Sequence, residues 1–181
     1  METIDKQQYT LNISSNLELS ICVNKSNNFV LIGILCMAIA IFLALIVSFV
    51  LLGIKEGISF GFIISCIVGF LCSGYLVRLY LWNKYGKEVF IVNKNDFVMY
   101  YDYKLFKDSY RKLHFNSIQV YFEYNGVLMD ISKGICCSRD EKCNSIICFK
   151  LDDEEIKSIG EIPIEVIINI GNQLLKQQVK L

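Results

Sequence analysis

The sequence predicts an α+β membrane protein in which a two-helix transmembrane hairpin is joined to a small β-barrel or bent sheet capped by a C-terminal helix. Three observations carry this expectation. Two long stretches hold no charged residue; 54% of the 181 residues are hydrophobic and mean hydropathy is +0.43, high for a soluble domain; and beyond Trp82 apolar residues alternate with polar ones at the period of a strand.

The first uncharged stretch runs from Phe29 to Ile54, 26 residues. As a helix it measures about 39 Å, more than the roughly 30 Å of bilayer hydrocarbon. It is also about twice as long as the apolar part of a cleaved signal, so it reads as a retained span. The second runs from Ile58 to Val77, 20 residues, and continues through Arg78, Tyr80 and Trp82. A cation and two aromatics there suit a membrane boundary, so the hairpin is expected over residues 29–54 and 58–82. Between the spans only Lys55-Glu56-Gly57 remains, whereas Lys84, Lys87 and Lys94 follow the second span and Lys25 precedes the first. The positive-inside rule then places both termini in the cytoplasm, in the cell's inner membrane.

Small residues recur every fourth position in the second span, at Gly61, Ser65, Gly69 and Ser73, and in the first at Ala40, Ala44 and Ser48. Such rows let helix backbones approach closely, either within the hairpin or between copies in a homo-oligomer. A transport path is disfavoured, because no ionisable side chain that marks such paths lies at mid-span.

After the spans, Val89 and Ile91 define one face of a strand, and a Lys94-Asn95-Asp96 turn leads into an aromatic strand from Phe97 to Tyr103. Further strands are expected at Tyr110 to Phe115, Ile118 to Tyr124, Val127 to Ser132 and Ser145 to Leu151, with Asn125-Gly126 as a hairpin turn. From residue 163 to 178 the spacing of Ile164, Ile167, Ile168, Leu174 and Leu175 predicts an amphipathic helix, with Pro163 in its first turn. Residues 1–28 contain two more strand-like stretches, Tyr9 to Ile13 and Leu17 to Val23. Because a hairpin returns the chain to the same side, these can pair with the later strands; the alternative is a disordered leader.

The run Leu81-Trp82-Asn83-Lys84-Tyr85-Gly86-Lys87-Glu88, followed by a hairpin and by Tyr110-Arg111-Lys112-Leu113-His114-Phe115-Asn116-Ser117-Ile118, resembles bacterial membrane-anchored pleckstrin-homology-like (PH-like) proteins. The resemblance covers residues 29 to 124 and the terminal helix. It implies a PH-like domain over residues 83–181, a strongly bent sheet or partly open barrel closed by a helix. It implies no single function, since this fold hosts lipid, peptide and protein recognition.

Candidate chemistry is sparse. Cys136, Cys137, Cys143 and Cys148 lie near Asp140 and Glu141, but without a C-x2-C spacing they form a poor zinc ligand set. A redox role and ordinary thiols are the other readings. His114 has no adjacent nucleophile, and no nucleophile-elbow, phosphate-loop or zinc-protease motif occurs. The chain is therefore read as non-catalytic, with no cofactor and no metal.

The 18 basic and 18 acidic side chains cancel, which argues against a nucleic-acid partner, but their distribution is uneven. Residues 84–112 hold seven cations against four acids, net +3, and residues 130–165 five against nine, net −4. A basic juxtamembrane segment is drawn to anionic headgroups, so Lys104, Lys107, Arg111 and Lys112 are the candidate headgroup contacts; the alternative is charge that only sets topology. The leading reading is a membrane-tethered binding or regulatory module whose partner is membrane lipid and another membrane or cytosolic protein. The rivals are an immunity or stress protein acting in the membrane, and an accessory or pore subunit of a transport complex.

Overall fold

The computed structural model describes residues 2–6, 8–14, 16–23, 26–55, 59–124, 126–131 and 143–178. The chain divides into a helical unit, Asn24–Gly86, and a β unit made of Met1–Val23 together with Lys87–Leu181.

The helical unit consists of α1 (Asn28–Lys55) and α2 (Phe60–Tyr85). Both are capped at the N-terminus by a side-chain oxygen: Asn27 Oδ1 accepts from the Phe29 N–H at 3.1 Å and Ser59 Oγ from the Phe62 N–H at 3.3 Å. α2 ends where the Gly86 N–H donates to the Trp82 carbonyl at 2.8 Å. Large apolar side chains lie exposed along both helices, among them Phe29, Leu43 and Leu51 on α1 and Phe60, Ile67 and Leu71 on α2. Helices apolar all round and left uncovered suit a bilayer better than the core of a soluble domain, and both are long enough to cross one.

The two helices pack against each other, and the expected rows of small residues divide at this interface. Ser73 Oγ donates to the Ala38 carbonyl at 3.0 Å, with both residues buried, and a Cβ added at Gly69 would stand 2.8 Å from the Leu45 methyls. Phe42 meets Phe70 edge-on, with ring centroids 5.7 Å apart. By contrast Ala40, Ala44 and Ser65 are exposed, Ser48 is half-buried, and nothing lies within 4 Å of a Cβ at Gly61. A strict four-residue row advances by about 40° per step around a helix of 3.6 residues per turn, so it leaves the partner within a few steps. The seam alternates steps of three and four instead.

Among the described residues the β unit holds two antiparallel sheets. The first has six strands in sequential order: β1 (Glu2–Lys6), β2 (Tyr9–Ile13), β3 (Leu17–Cys22), β4 (Lys87–Val92), β5 (Asp96–Asp102) and β6 (Lys107–His114). β3 pairs with β4 from Leu17↔Val92 to Cys22↔Lys87, so residues on either side of the apolar helices share one ladder. The second sheet comprises β7 (Ile118–Tyr124), β8 (Val127–Asp130), β9 (Asn144–Leu151) and β10 (Glu154–Pro163), in the order β10-β9-β7-β8. Helix α3 (Ile164–Gln178) buries Ile164, Val166, Ile167, Ile170 and Leu174 in the core between these elements. Gly126 has φ of 75°, the left-handed conformation that a tight β7–β8 turn requires.

Val89 and Ile91 share one face of β4 as expected, while the face turned to the core carries Glu88, Phe90 and Val92. Three expectations are corrected. The sheets do not close into a barrel: among the described residues no strand ladder joins them. β1 is an additional strand. Residues 154–163 form β10, so Pro163 ends a strand and does not open the helix. The alternation of β10 is interrupted by a bulge, since residues 158–160 face the single residue Ile147 between Lys157↔Cys148 and Glu161↔Ile146.

That bulge ties the sheets together. The Ile159 and Gly160 N–H groups donate to Oε2 of the buried Glu88 at 2.8 and 3.0 Å, and a Cβ at Gly160 would lie 2.5 Å from Ile21 Cγ2. Glycine is needed here for close approach of β10 to β3.

Candidate functional site

Among the described residues of the β unit, the β5–β6 hairpin brings exposed apolar and basic side chains together. Its loop is Tyr103-Lys104-Leu105-Phe106, closed by the Tyr103 N–H donating to the Phe106 carbonyl at 3.0 Å. Asp102 Oδ1 accepts from the Lys104 N–H at 2.7 Å, an Asx turn that holds Lys104 at φ 72°. Leu105 is 76% exposed, while Phe106 stacks on the buried Tyr103 with ring centroids 4.6 Å apart.

A second irregularity aims the neighbouring side chains. The register shifts between Met99 and Tyr101, so that Ser109 and Tyr110 both face Tyr100, and Ser109 takes φ of 52° while Asp108 Oδ1 accepts its N–H. Tyr110 thereby stacks on Tyr100, with centroids 6.3 Å apart. Lys107 Nζ stands 4.3 Å from the centre of the Tyr100 ring, a cation–π contact. The hairpin is thus a preformed aromatic surface with Lys104 and Lys107 on either side of an apolar tip.

The four candidate cations do not form one patch. Alternate residues of a strand face opposite ways, so Arg111, opposite Met99, and Lys112, opposite Val98, lie on different faces of β6. Arg111 pairs with Glu154 of β10, and Lys112 with Asp96 at 2.9 Å. His114 Nδ1 is 2.6 Å from the other oxygen of Asp96. Lys112 and His114 together hold the Asp96 carboxyl below its usual range. Lys104 and Lys107 remain at the tip; Arg111 and Lys112 serve strand and sheet edges.

Sequence reasoning passed over Leu105 and Phe106, although the signal was there: two apolar residues between lysines in a stretch otherwise bounded by Asp102 and Asp108. It also passed over Glu88, which reads as a solvent-facing acid beside Lys87 but is 1% exposed.

Of the cysteine group, Cys136, Cys137, Asp140 and Glu141 lie outside the described residues. Cys148 is buried in β9, its thiol donating to Glu155 Oε1 at 3.3 Å, and burial first and the Glu155 bond second push its pKa up to about 12. Such a thiol is protonated at neutral pH and a poor nucleophile. A groove of about 90 Å³ between β7 and α3, lined by Val120, Ile131, Leu174 and Leu175, is smaller than the roughly 300 to 1,000 Å³ typical of small-molecule sites.

One row of the first sheet relates the hairpin to the rest of the chain. Cys22 pairs with Lys87, Lys87 with Asp102, and Asp102 with Lys107. The β5–β6 loop therefore lies at the end of the sheet from which the chain leaves toward α1 and to which it returns from α2. No family model matches the chain, and neither a curated protein nor a solved structure matches it.

Proposed function

We propose that the chain is a non-catalytic binding or regulatory module, tethered to the inner leaflet of the cytoplasmic membrane by α1 and α2 and presenting a PH-like β unit at the surface. The observation that carries this reading is the β3–β4 ladder. Because strands from both flanks of the helical pair are neighbours in one sheet, the β unit is attached to the spans at two adjacent points. A freely swinging domain would need only one tether. The two antiparallel sheets with a C-terminal helix packed on them are compatible with a PH-like unit that has not closed into a barrel. Lys104 and Lys107 supply contact with anionic headgroups, and the exposed strands supply the surface for a protein partner.

The test is made in intact cells with the full chain. Alkaline extraction should leave it in the membrane pellet, and tags at residues 1 and 181 should be labelled only after the membrane is opened, while a cysteine replacing Gly57 is labelled from outside. Photo-crosslinkers at Val127 and Leu128, both exposed on β8, should each give a discrete protein adduct. A chain released by alkali, or a C-terminal tag labelled in intact cells, would overturn the tethering and its orientation. Absence of any discrete adduct would overturn the protein-binding role.

A further inference from the structure

We propose that the Tyr103–Phe106 loop is a bilayer-insertion site, in which Leu105 and Phe106 enter the interfacial layer of an anionic membrane while Lys104 and Lys107 meet the lipid phosphates. The proposal rests on the tethered reading above and adds a second, non-helical membrane contact to it.

Three observations converge. Leu105 and Phe106 are 76% and 43% exposed, and Tyr110 nearby is 64% exposed, a grouping typical of interfacial anchors. The register places the loop beside the covalent junctions: Lys107 is two strands from Lys87, about 10 Å at the spacing of a sheet, and Lys87 follows directly on the Gly86 that ends α2. The loop is also rigid by construction, closed by the Tyr103–Phe106 backbone bond, the stacked Tyr103 and Phe106 rings and the seat of Lys107 on Tyr100. Little ordering entropy is then lost on insertion.

The local charge shows which force dominates. Asp102 and Asp108 flank the same loop and balance Lys104 and Lys107, although one oxygen of each acid is turned to a backbone N–H, that of Lys104 and that of Ser109. Among the described residues of this sheet end, Lys87, paired with Asp102, adds a further positive charge. Apolar burial should therefore set the depth, with anionic lipid adding a smaller, salt-sensitive part. This is opposite in emphasis to a purely electrostatic headgroup site.

The experiment uses the full chain in vesicles of phosphatidylcholine and phosphatidylglycerol. With Trp82→Phe as background, Leu105→Trp provides a single tryptophan in the loop, and Asp153→Trp provides a control on the β9–β10 turn, which Asp152 ties to Asn116 and Ser117 beyond the opposite end of β6. Lipids brominated near the headgroup should quench the Leu105→Trp emission by roughly two-fold and leave Asp153→Trp unchanged. Lys104→Glu with Lys107→Glu should reduce the quenching in anionic vesicles more than in neutral ones. In the unaltered chain, amide exchange over residues 103–107 should be slower in anionic nanodiscs than in detergent, which serves as a readout independent of the tryptophan variants. If the chain floats with vesicles but Leu105→Trp is quenched no more than the control and amide exchange is unaltered, the insertion site is refuted and the tether stands. A chain that does not float refutes the tether and the insertion together.

Discussion

Replacing Glu88 tests how the two sheets of the β unit are held. Its Oε2 accepts both bulge N–H groups, from Ile159 and Gly160, whereas its Oε1 is buried with no partner among the described residues. Glu88→Ala removes the acceptor for two partly buried donors. Each buried donor left unsatisfied costs about 1 to 3 kcal/mol, but this loss is offset by no longer burying a carboxylate, so a net loss of about 2 to 3 kcal/mol is expected. Glu88→Gln keeps an oxygen for the two donors and exchanges an unpartnered acceptor for an unpartnered amide, so it should stay within about 1 kcal/mol of wild type at low pH.

The pH dependence sharpens the test. Burial raises the Glu88 pKa above 4.5, more than the two N–H groups lower it. The folded state then holds this proton more tightly than the unfolded chain. Glu88 thus favours folding most below the unfolded pKa, and that contribution is lost as pH rises through the folded value. Asp96, Asp152 and Glu155, held below their usual range, act in the opposite direction, so wild type alone does not isolate Glu88. The difference between Glu88→Gln and wild type does. Urea unfolding of the full chain in detergent micelles, followed by near-ultraviolet circular dichroism of the β unit, should show Gln gaining on Glu as pH rises from acid to neutral, then levelling off. A difference that is flat across this range, or that favours Glu with rising pH, would refute the buried-carboxylate account. An Ala variant as stable as the Gln variant would refute the bulge contact.

Three further outcomes are expected. Gly69→Ile should lower thermal stability in detergent because the branched side chain forces Leu45 away, whereas Gly61→Ile should match wild type; equal effects at both positions would remove the seam described here. Asp152 accepts from the Asn116 and Ser117 N–H groups and from Ser117 Oγ, which holds its pKa down. Its contribution is present above the unfolded pKa and lost as pH falls through the folded one, so in acid urea titrations the gap between wild type and Asp152→Asn should close. Cys148, with its thiol pKa pushed up to about 12, should react with iodoacetamide at pH 8 only on unfolding, as peptide mass spectrometry would show; rapid alkylation of the native chain would contradict its burial.

The sequence by itself determined the two apolar helices, because a run of 26 residues without a charge has few other uses. It also determined most strands, because buried apolar residues recur at every second position along β3 and β7. β10 was not legible for a local reason. The bulge at residues 158–160 spaces Ile156, Ile159 and Ile162 like a helix, and Ile159, 61% exposed, only appears to belong to the inward face. The small-residue rows were legible as composition but not as an interface, since a four-residue repeat and a helical turn differ by a rotation that only the partner helix reveals.

The candidate site divides in the same way. Lys104, Lys107, Arg111 and Lys112 are visible in the sequence as charge. That the first two flank an apolar tip while the other two pair with Glu154 and Asp96 follows from strand register and the β5–β6 bulge. Glu88 is the clearest case. An acid beside a lysine at a strand start reads as solvent-facing, and only the approach of β10, brought there by a second sheet, supplies the two N–H groups that accompany its burial. Local pattern fixes which residues alternate. Which face is covered, and by what, depends on segments distant in the sequence, and tertiary structure alone decides it.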